Sequence, residues 1–211
     1  MSRQDERSDI AAIGRLRAGE RLDIGEETRD VLKLALAIAE DTGGDFDPVA
    51  PGVSGREASW RDLGLAADGR VFVRRPLRVS LDGIAKGFAA DRMCAVLRDA
   101  GDVDAIVDAG GDLALACRRP EPIGLRDPER PGRIARRVSL VSGGVATSGA
   151  YGGISEFWTG GARQRWPRAA TVTAPSCAVA DAMTKVAAFD PTAAALARWR
   201  AQVISAERVA A

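Results

Sequence analysis

No single periodicity governs this chain: helix-like and strand-like stretches alternate irregularly, which excludes a repeating βαβ array and predicts a mixed α+β domain. Val31, Leu34, Ala35, Ile38 and Ala39 recur at helical spacing and stop at Gly43-Gly44. Val71 and Val73, then Leu77, Val79 and Leu81, alternate on either side of Arg74-Arg75-Pro76, as in two strands joined by a turn. Helical period returns over about 85–100 with Ala89, Met93, Val96, Leu97 and Ala100, and Gly101 ends it. A short buried strand, Ala105 to Val107, runs into Gly110-Gly111. Val138 to Val141 and Val145 to Thr147 predict a hairpin across Ser142-Gly143-Gly144, and Thr171 to Thr173 a further strand. Ser176 suits the cap of a helix reaching about Phe189, and Asp190-Pro191 has the form of an N-cap and first position of a last helix. Residues 45–60 read as a loop, and 120–137 and 151–167 as variable excursions. The 211 residues suffice for one domain, 1–211.

Composition narrows the chemistry. The chain has no histidine, so a Ser-His-Asp triad, a Cys-His dyad and histidine-ligated zinc are all excluded. Thirty basic side chains face twenty-nine acidic ones, and no basic run is interleaved with aromatics, so no nucleic-acid partner is expected. Only Lys33, Lys86 and Lys185 among the basic residues are lysines. Cys94, Cys117 and Cys177 are scattered, form no CxxC pair, and are expected as free thiols. The opening residues are polar and no run is long and apolar enough for a membrane span, so a cytoplasmic protein without membrane insertion is expected.

Four short segments have chemical potential. Asp82-Gly-Ile-Ala-Lys-Gly87 lies at a strand-to-helix junction, where glycines and free N–H groups suit a phosphate and Lys86 adds a point charge. A tight turn with a surface lysine is the alternative. Asp108-Ala-Gly-Gly-Asp112 follows an apolar strand and has the form either of an amide-and-carboxylate turn aimed into a cleft or of a plain hairpin turn. Thr147-Ser148-Gly149 offers two hydroxyls or simply a capped strand end. Asp181, Thr184 and Lys185 share one face of a helix, on the border of an apolar face made by Ala178, Ala182, Val186 and Phe189. A carboxylate and a hydroxyl are hard oxygen ligands suited to Mg²⁺; an ordinary Asp-Lys helix pair is the alternative.

The order of these segments is informative. Ser80-Leu-Asp-Gly-Ile-Ala-Lys-Gly-Phe-Ala-Ala-Asp91, Val107-Asp-Ala-Gly-Gly-Asp112, Val145-Ala-Thr-Ser-Gly149, and Thr171-Val-Thr-Ala-Pro-Ser176 with Ala180-Asp-Ala-Met-Thr-Lys185 together resemble the ApbE-like FAD:protein FMN transferases. Leu34 to Pro48, ending Thr-Gly-Gly-Asp-Phe-Asp-Pro, is also similar to that family, and the resemblance runs over about 13–189. It implies a T-fold-like mixed sheet with packed helices, and Mg²⁺-dependent transfer of FMN from FAD to a threonine or serine hydroxyl of an acceptor flavoprotein, with release of AMP. By the same resemblance, Gly83, Ile84, Ala85, Lys86, Gly87, Gly110, Gly111, Asp112, Thr147, Ser148 and Gly149 would line the FAD site. Ala85, through its carbonyl, Asp181 and Thr184 would hold the metal. Asp82 and Asp112 are the candidate general bases, since that role needs a carboxylate within reach.

The chain departs from the family at several points. The His-x-x-Asp-Pro stretch that family members carry before the strand at Thr171 is replaced by Ala162-Arg-Gln-Arg-Trp-Pro-Arg-Ala-Ala170, an acidic residue after Ser-Gly by Ala150, and a Gly-Gly pair by Asp82-Gly83. These departures leave a catalytically degenerate FAD-binding protein, an FAD pyrophosphate hydrolase and a domain that keeps only the fold as alternatives to the transferase.

Overall fold

The computed structural model describes residues 5–50, 58–101, 104–127, 130, 132–149, 156–159, 162–165 and 168–208. In chain order the elements begin with α1 (Asp9–Ile13), β1 (Arg21–Leu22), α2 (Glu26–Asp41) and β2 (Val49–Ala50). A 3-10 turn at Trp60–Asp62 leads to β3 (Leu63–Leu65), β4 (Val71–Val73), β5 (Arg78–Val79) and α3 (Ala85–Asp99). Then come β6 (Ala105–Asp108), β7 (Leu113–Arg126), β8 (Ile134–Ser148), β9 (Glu156–Thr159) and β10 (Ala162–Arg165). The chain ends with β11 (Arg168–Ala174), α4 (Cys177–Phe189), α5 (Ala194–Arg198) and β12 (Gln202–Arg208). The expected mixed α+β class is what forms. Among the described residues no helix is long and apolar enough to cross a membrane.

Two compact units are built from these elements, one from residues 1–85 and 156–165, the other from 86–155 and 166–211. In the first, α2 buries Val31, Leu32, Ala35, Ile38 and Ala39 on one stripe, so Leu32 and not Leu34 completes the inward face. Thr42 closes that helix, its hydroxyl donating to the Ile38 carbonyl at 2.8 Å, and Gly43 and Gly44 turn the chain away with φ of 65° and 99°. The segment before Gly25, weakly patterned in sequence, folds as α1 with Ile10 and Ile13 buried, followed by β1. The expected hairpin between the strands at 71–73 and 77–81 does not form. Instead β4 lies between β1 and β3, while β5 pairs with β2.

Asp47 is a buried acid of this unit. Its carboxylate accepts the Val49 N–H at 2.8 Å and the Trp60 N–H at 3.3 Å, tying β2 to the 3-10 turn within the 45–60 loop. Burial pushes its pKa up to about 6, against the pull of those two N–H groups. Residues 51–57 of that loop lie outside the described residues.

The second unit is a five-stranded antiparallel sheet in the order β12-β11-β8-β7-β6, with α3 and α4 packed on it. β7 and β8 continue through most of the 120–137 excursion as one long hairpin, with Glu121 opposite Leu140 and Leu125 opposite Arg136. Ser142-Gly143-Gly144 is not a turn but the middle of β8. Glycine is required there because α4 begins directly over it: a Cβ on Gly144 would overlap the Cys177 backbone. Of 151–167, the described part forms the β9–β10 hairpin, assigned to the first unit; 151–155, 160, 161, 166 and 167 lie outside the described residues, as does Ala150.

Three further expectations give way to packing. α3 turns Ala90 and Cys94 inward against Ala105, Ala114 and Cys177, while Met93 and Val96 are 54% and 63% exposed. β6 is an edge strand with Ile106 half-exposed rather than a buried one. Asp190-Pro191 makes a turn, with the Thr192 N–H donating to Asp190 Oδ1 at 2.8 Å, and α5 starts only at Ala194.

Gly144→Ala is expected to cost about 1–3 kcal/mol or more in urea unfolding, because backbone rather than a pliable side chain stands in the way. Asp47 has a folded pKa above its ordinary 3.8, so its contribution is fully present below about pH 4 and lost as pH rises through about 6. Asp47→Asn should therefore flatten the fall in melting temperature between pH 4 and pH 7, worth up to about 3 kcal/mol in the unsubstituted chain.

Candidate functional site

The start of α4 is the point on which the second unit's polar groups converge. This helix is almost wholly buried, because it lies on β8 and β11 and contacts α5 and β12 as well. Its free N–H groups therefore need protein acceptors. Ser176 accepts from the Val179 N–H at 3.3 Å, as its sequence position suggests. Asp91, reaching across from α3, accepts the Cys177 and Ala178 N–H groups, each at 2.8 Å. At the other end, Arg168 of β11 donates to the Ala188 and Phe189 carbonyls at 3.2 and 2.8 Å. A carboxylate at the positive end and a guanidinium at the negative end both match the helix dipole. Burial holds the Asp91 carboxyl above its ordinary range, even though the two N–H bonds pull it down.

One turn into α4 stands Asp181, with no solvent exposure. It is not on the border of an apolar face, as the periodicity suggests, but in the interior. Its Oδ1 pairs with Lys185 one turn further on, and its Oδ2 accepts the Gly87 N–H from the first turn of α3 at 3.4 Å. The Lys185 ammonium also donates to the Asp181 carbonyl at 2.9 Å and to Ser148 Oγ, at the end of β8, at 3.1 Å. Thr184, also fully buried, has its hydroxyl 2.6 Å from the Asp181 carbonyl and 2.7 Å from Ser148 Oγ. Gly87 makes this convergence possible, since a Cβ there would overlap the Cys177 carbonyl and stand 2.8 Å from Ala178 Cα.

A second ion pair adjoins the first. Lys86 Nζ lies 2.5 Å from Asp112 Oδ2; the Lys86 side chain is 51% exposed, whereas Asp112 is buried. Burial and the nearby Asp181 carboxylate hold Asp112 above its ordinary range, with Lys86 opposing them. For Lys86 burial works against the charge, but Asp112 more than offsets it and carries the ammonium above its usual value. The Cys177 thiol is also pushed up, by burial and by these carboxylates. Four charges, two of each sign, thus share one small volume.

The structure brings together Lys86, Gly87, Asp112, Ser148, Asp181 and Thr184. The other sequence candidates are placed differently. Gly110 and Gly111 form a two-residue hairpin turn between β6 and β7, at φ of 70° and 96°, and a Cβ on either would meet nothing within 4 Å. Thr147 points to Thr171 across the sheet, with their hydroxyls 3.0 Å apart, and Gly149 follows at the end of β8. Asp82, Gly83, Ile84 and Ala85 belong to the first unit: Asp82 is exposed, and Ile84 is a fully buried core side chain.

One site residue escaped the sequence reading. Asp91 closes the Gly-Ile-Ala-Lys-Gly-Phe-Ala-Ala-Asp run, but its capping partner lies 86 positions away in sequence. Lys185 did not escape it: the Asp-Lys helix pair, the alternative to a metal ligand at this segment, is what the structure forms. Its position bears directly on the implied Mg²⁺. Asp181 Oδ1 and Ser148 Oγ hold an ammonium, Asp181 Oδ2 takes an N–H, and the Thr184 hydroxyl is engaged by the Asp181 carbonyl and Ser148. Among the described residues no group of three or more His, Cys, Asp or Glu side chains is placed to hold a metal. This donor set does not fit a divalent cation.

The family model that matches is that of the ApbE family, over residues 53–207. The chain is similar to the ApbE protein of Thermotoga maritima, with 25% identity, a TM-score of 0.77, and coverage of 98% of this chain and 83% of that one. It also shares the fold of the flavinyl transferase ApbE of Pseudomonas stutzeri, at 22% identity and TM-score 0.70, covering 88% and 69% of the two chains. The flavin transferase ApbE of Vibrio cholerae gives 19% identity and TM-score 0.74, with 96% and 78% covered. A search of the curated proteins finds no match. From the geometry, Asp91→Ala should lower stability by about 1–2 kcal/mol or more, read by urea unfolding, because it strips two acceptors from a buried helix start.

Proposed function

The chain belongs to the ApbE family, and from that premise we propose that it binds FAD and transfers the FMN half to a threonine or serine hydroxyl of an acceptor flavoprotein. The observation that carries this reading is Lys86, a half-exposed ammonium tethered by a buried carboxylate at the first turn of a 15-residue helix. Such a cation at a helix start is suited to the pyrophosphate of a dinucleotide. The names of the Pseudomonas stutzeri and Vibrio cholerae neighbours support flavin as the group moved.

In the proposed reaction the acceptor hydroxyl oxygen attacks the phosphorus of the FMN half. The bond from that phosphorus to the bridging oxygen breaks, AMP leaves with that oxygen, and the hydroxyl proton passes to a carboxylate. Asp112 is the proposed base, since burial and the neighbouring Asp181 carboxylate raise its pKa and so favour proton uptake. Asp82 is the alternative, as an exposed carboxylate at the end of the strand-to-helix junction. Lys86 would bind the phosphates and offset charge developing on the departing AMP. We read 1–211 as one ApbE-like domain, and take Gly110, Gly111, Thr147 and Gly149 of the second unit as further flavin-binding residues.

Incubation with FAD and candidate acceptor proteins tests this reading. Fluorescent flavin bound covalently to the acceptor, with AMP released, is the expected result. FMN and AMP appearing without an acceptor would instead establish FAD hydrolysis, and binding without turnover a degenerate member. Lys86→Ala should weaken FAD binding about tenfold, followed by flavin fluorescence. Asp112→Asn should slow transfer about a hundredfold or more, and Asp82→Asn far less; the reverse order would move the base to Asp82.

A further inference from the structure

Only 12% of the Lys185 side chain is exposed, and its ammonium touches three oxygens: Asp181 Oδ1, the Asp181 carbonyl and Ser148 Oγ. A carboxylate, a carbonyl and a hydroxyl converging from a helix and a strand end are the kind of hard-oxygen set that binds a small cation. Here the cation is covalently part of the chain. The second carboxylate oxygen accepts the Gly87 N–H, so both oxygens of Asp181 already have partners within the chain. The surrounding charges agree: Asp112 and Asp181 are matched by Lys86 and Lys185, and a divalent ion on the same oxygens would face an ammonium at contact distance.

We propose that the Lys185 ammonium is the resident cation of this site, seated where Asp181 and Ser148 would otherwise hold a divalent metal, and that the chain binds FAD independently of Mg²⁺. The proposal rests on the FAD reading above and deepens it. Lys185 supplies the fixed positive charge beside Lys86, and Asp181 positions that charge instead of ligating a metal.

The test is a titration of FAD against the full chain by flavin fluorescence, once with a chelator and once with Mg²⁺. The Kd should agree within about twofold in the unsubstituted protein. Loss of affinity by about tenfold or more on chelation overturns the proposal. In Lys185→Met, binding should weaken about tenfold under chelation, and Mg²⁺ should restore it, because the vacated oxygens become available to the ion. Failure of Mg²⁺ to restore binding in the folded variant would count against a shared cation seat.

A second arm needs no flavin. Mn²⁺ binding, followed by electron paramagnetic resonance, should be absent at this seat in the unsubstituted chain and appear in Lys185→Met. One Mn²⁺ per chain in the unsubstituted protein, abolished by Asp181→Asn, would refute the idea outright. If FAD binds under no condition, the flavin reading fails while the Mn²⁺ arm still decides the role of Lys185. If circular dichroism shows Lys185→Met unfolded, the two titrations of the unsubstituted chain decide.

Discussion

A carboxylate at Asp181, sealed from water inside a helix that is itself buried, is the constraint around which the second unit is arranged. A lone ion there would cost several kcal/mol, so each of its oxygens must be met. One partner is local: Lys185 lies one turn along the same helix and arrives with it. The other is not, because the Gly87 N–H comes from α3 and reaches Asp181 only if the two helix starts nearly touch. That approach is why position 87 has no side chain, and it also brings Asp91 onto the Cys177 and Ala178 N–H groups. One buried charge thus accounts for a lysine, a glycine and, through the same helix contact, an aspartate from two distant segments.

The same arrangement sorts two scarce lysines into different tasks. Lys185 is enclosed and spends its charge on Asp181 and Ser148. Lys86 is held by Asp112 yet half-exposed, so its charge is available to a ligand. The chain uses arginine almost everywhere else, including at the α4 carboxyl end, where the planar guanidinium of Arg168 reaches two carbonyls at once. An ammonium suits a compact cage of oxygens, and that is where lysine appears.

Much of this was legible in advance, and the misreadings have physical causes. The helices at 26–41, 85–99 and 177–189 announce themselves by period and caps. The inward face of α3 does not, since Ala89, Met93 and Val96 form one acceptable stripe and Ala90 with Cys94 another; the sheet beneath chose the second. Gly143-Gly144 has the composition of a turn, but the glycines serve the approach of α4 to a continuous strand. The Arg- and Pro-rich stretch at 120–137 carries no strand signal in sequence, because a hairpin with much exposed surface needs no apolar alternation to hold its ladder.

What the sequence determined by itself is the local chemistry: the α+β class, the helix at 177–189 with its Ser176 cap, the Gly110-Gly111 turn, and the choice of Asp181, Lys86 and Asp112 as groups of interest. Only the tertiary structure decided how those groups are partnered. Asp181 in sequence is a carboxylate with two possible companions, a metal ion or the lysine one turn away. Burial resolves the choice, since an enclosed carboxylate must be neutralised by whatever cation the fold places within reach, and here that is the ammonium of Lys185.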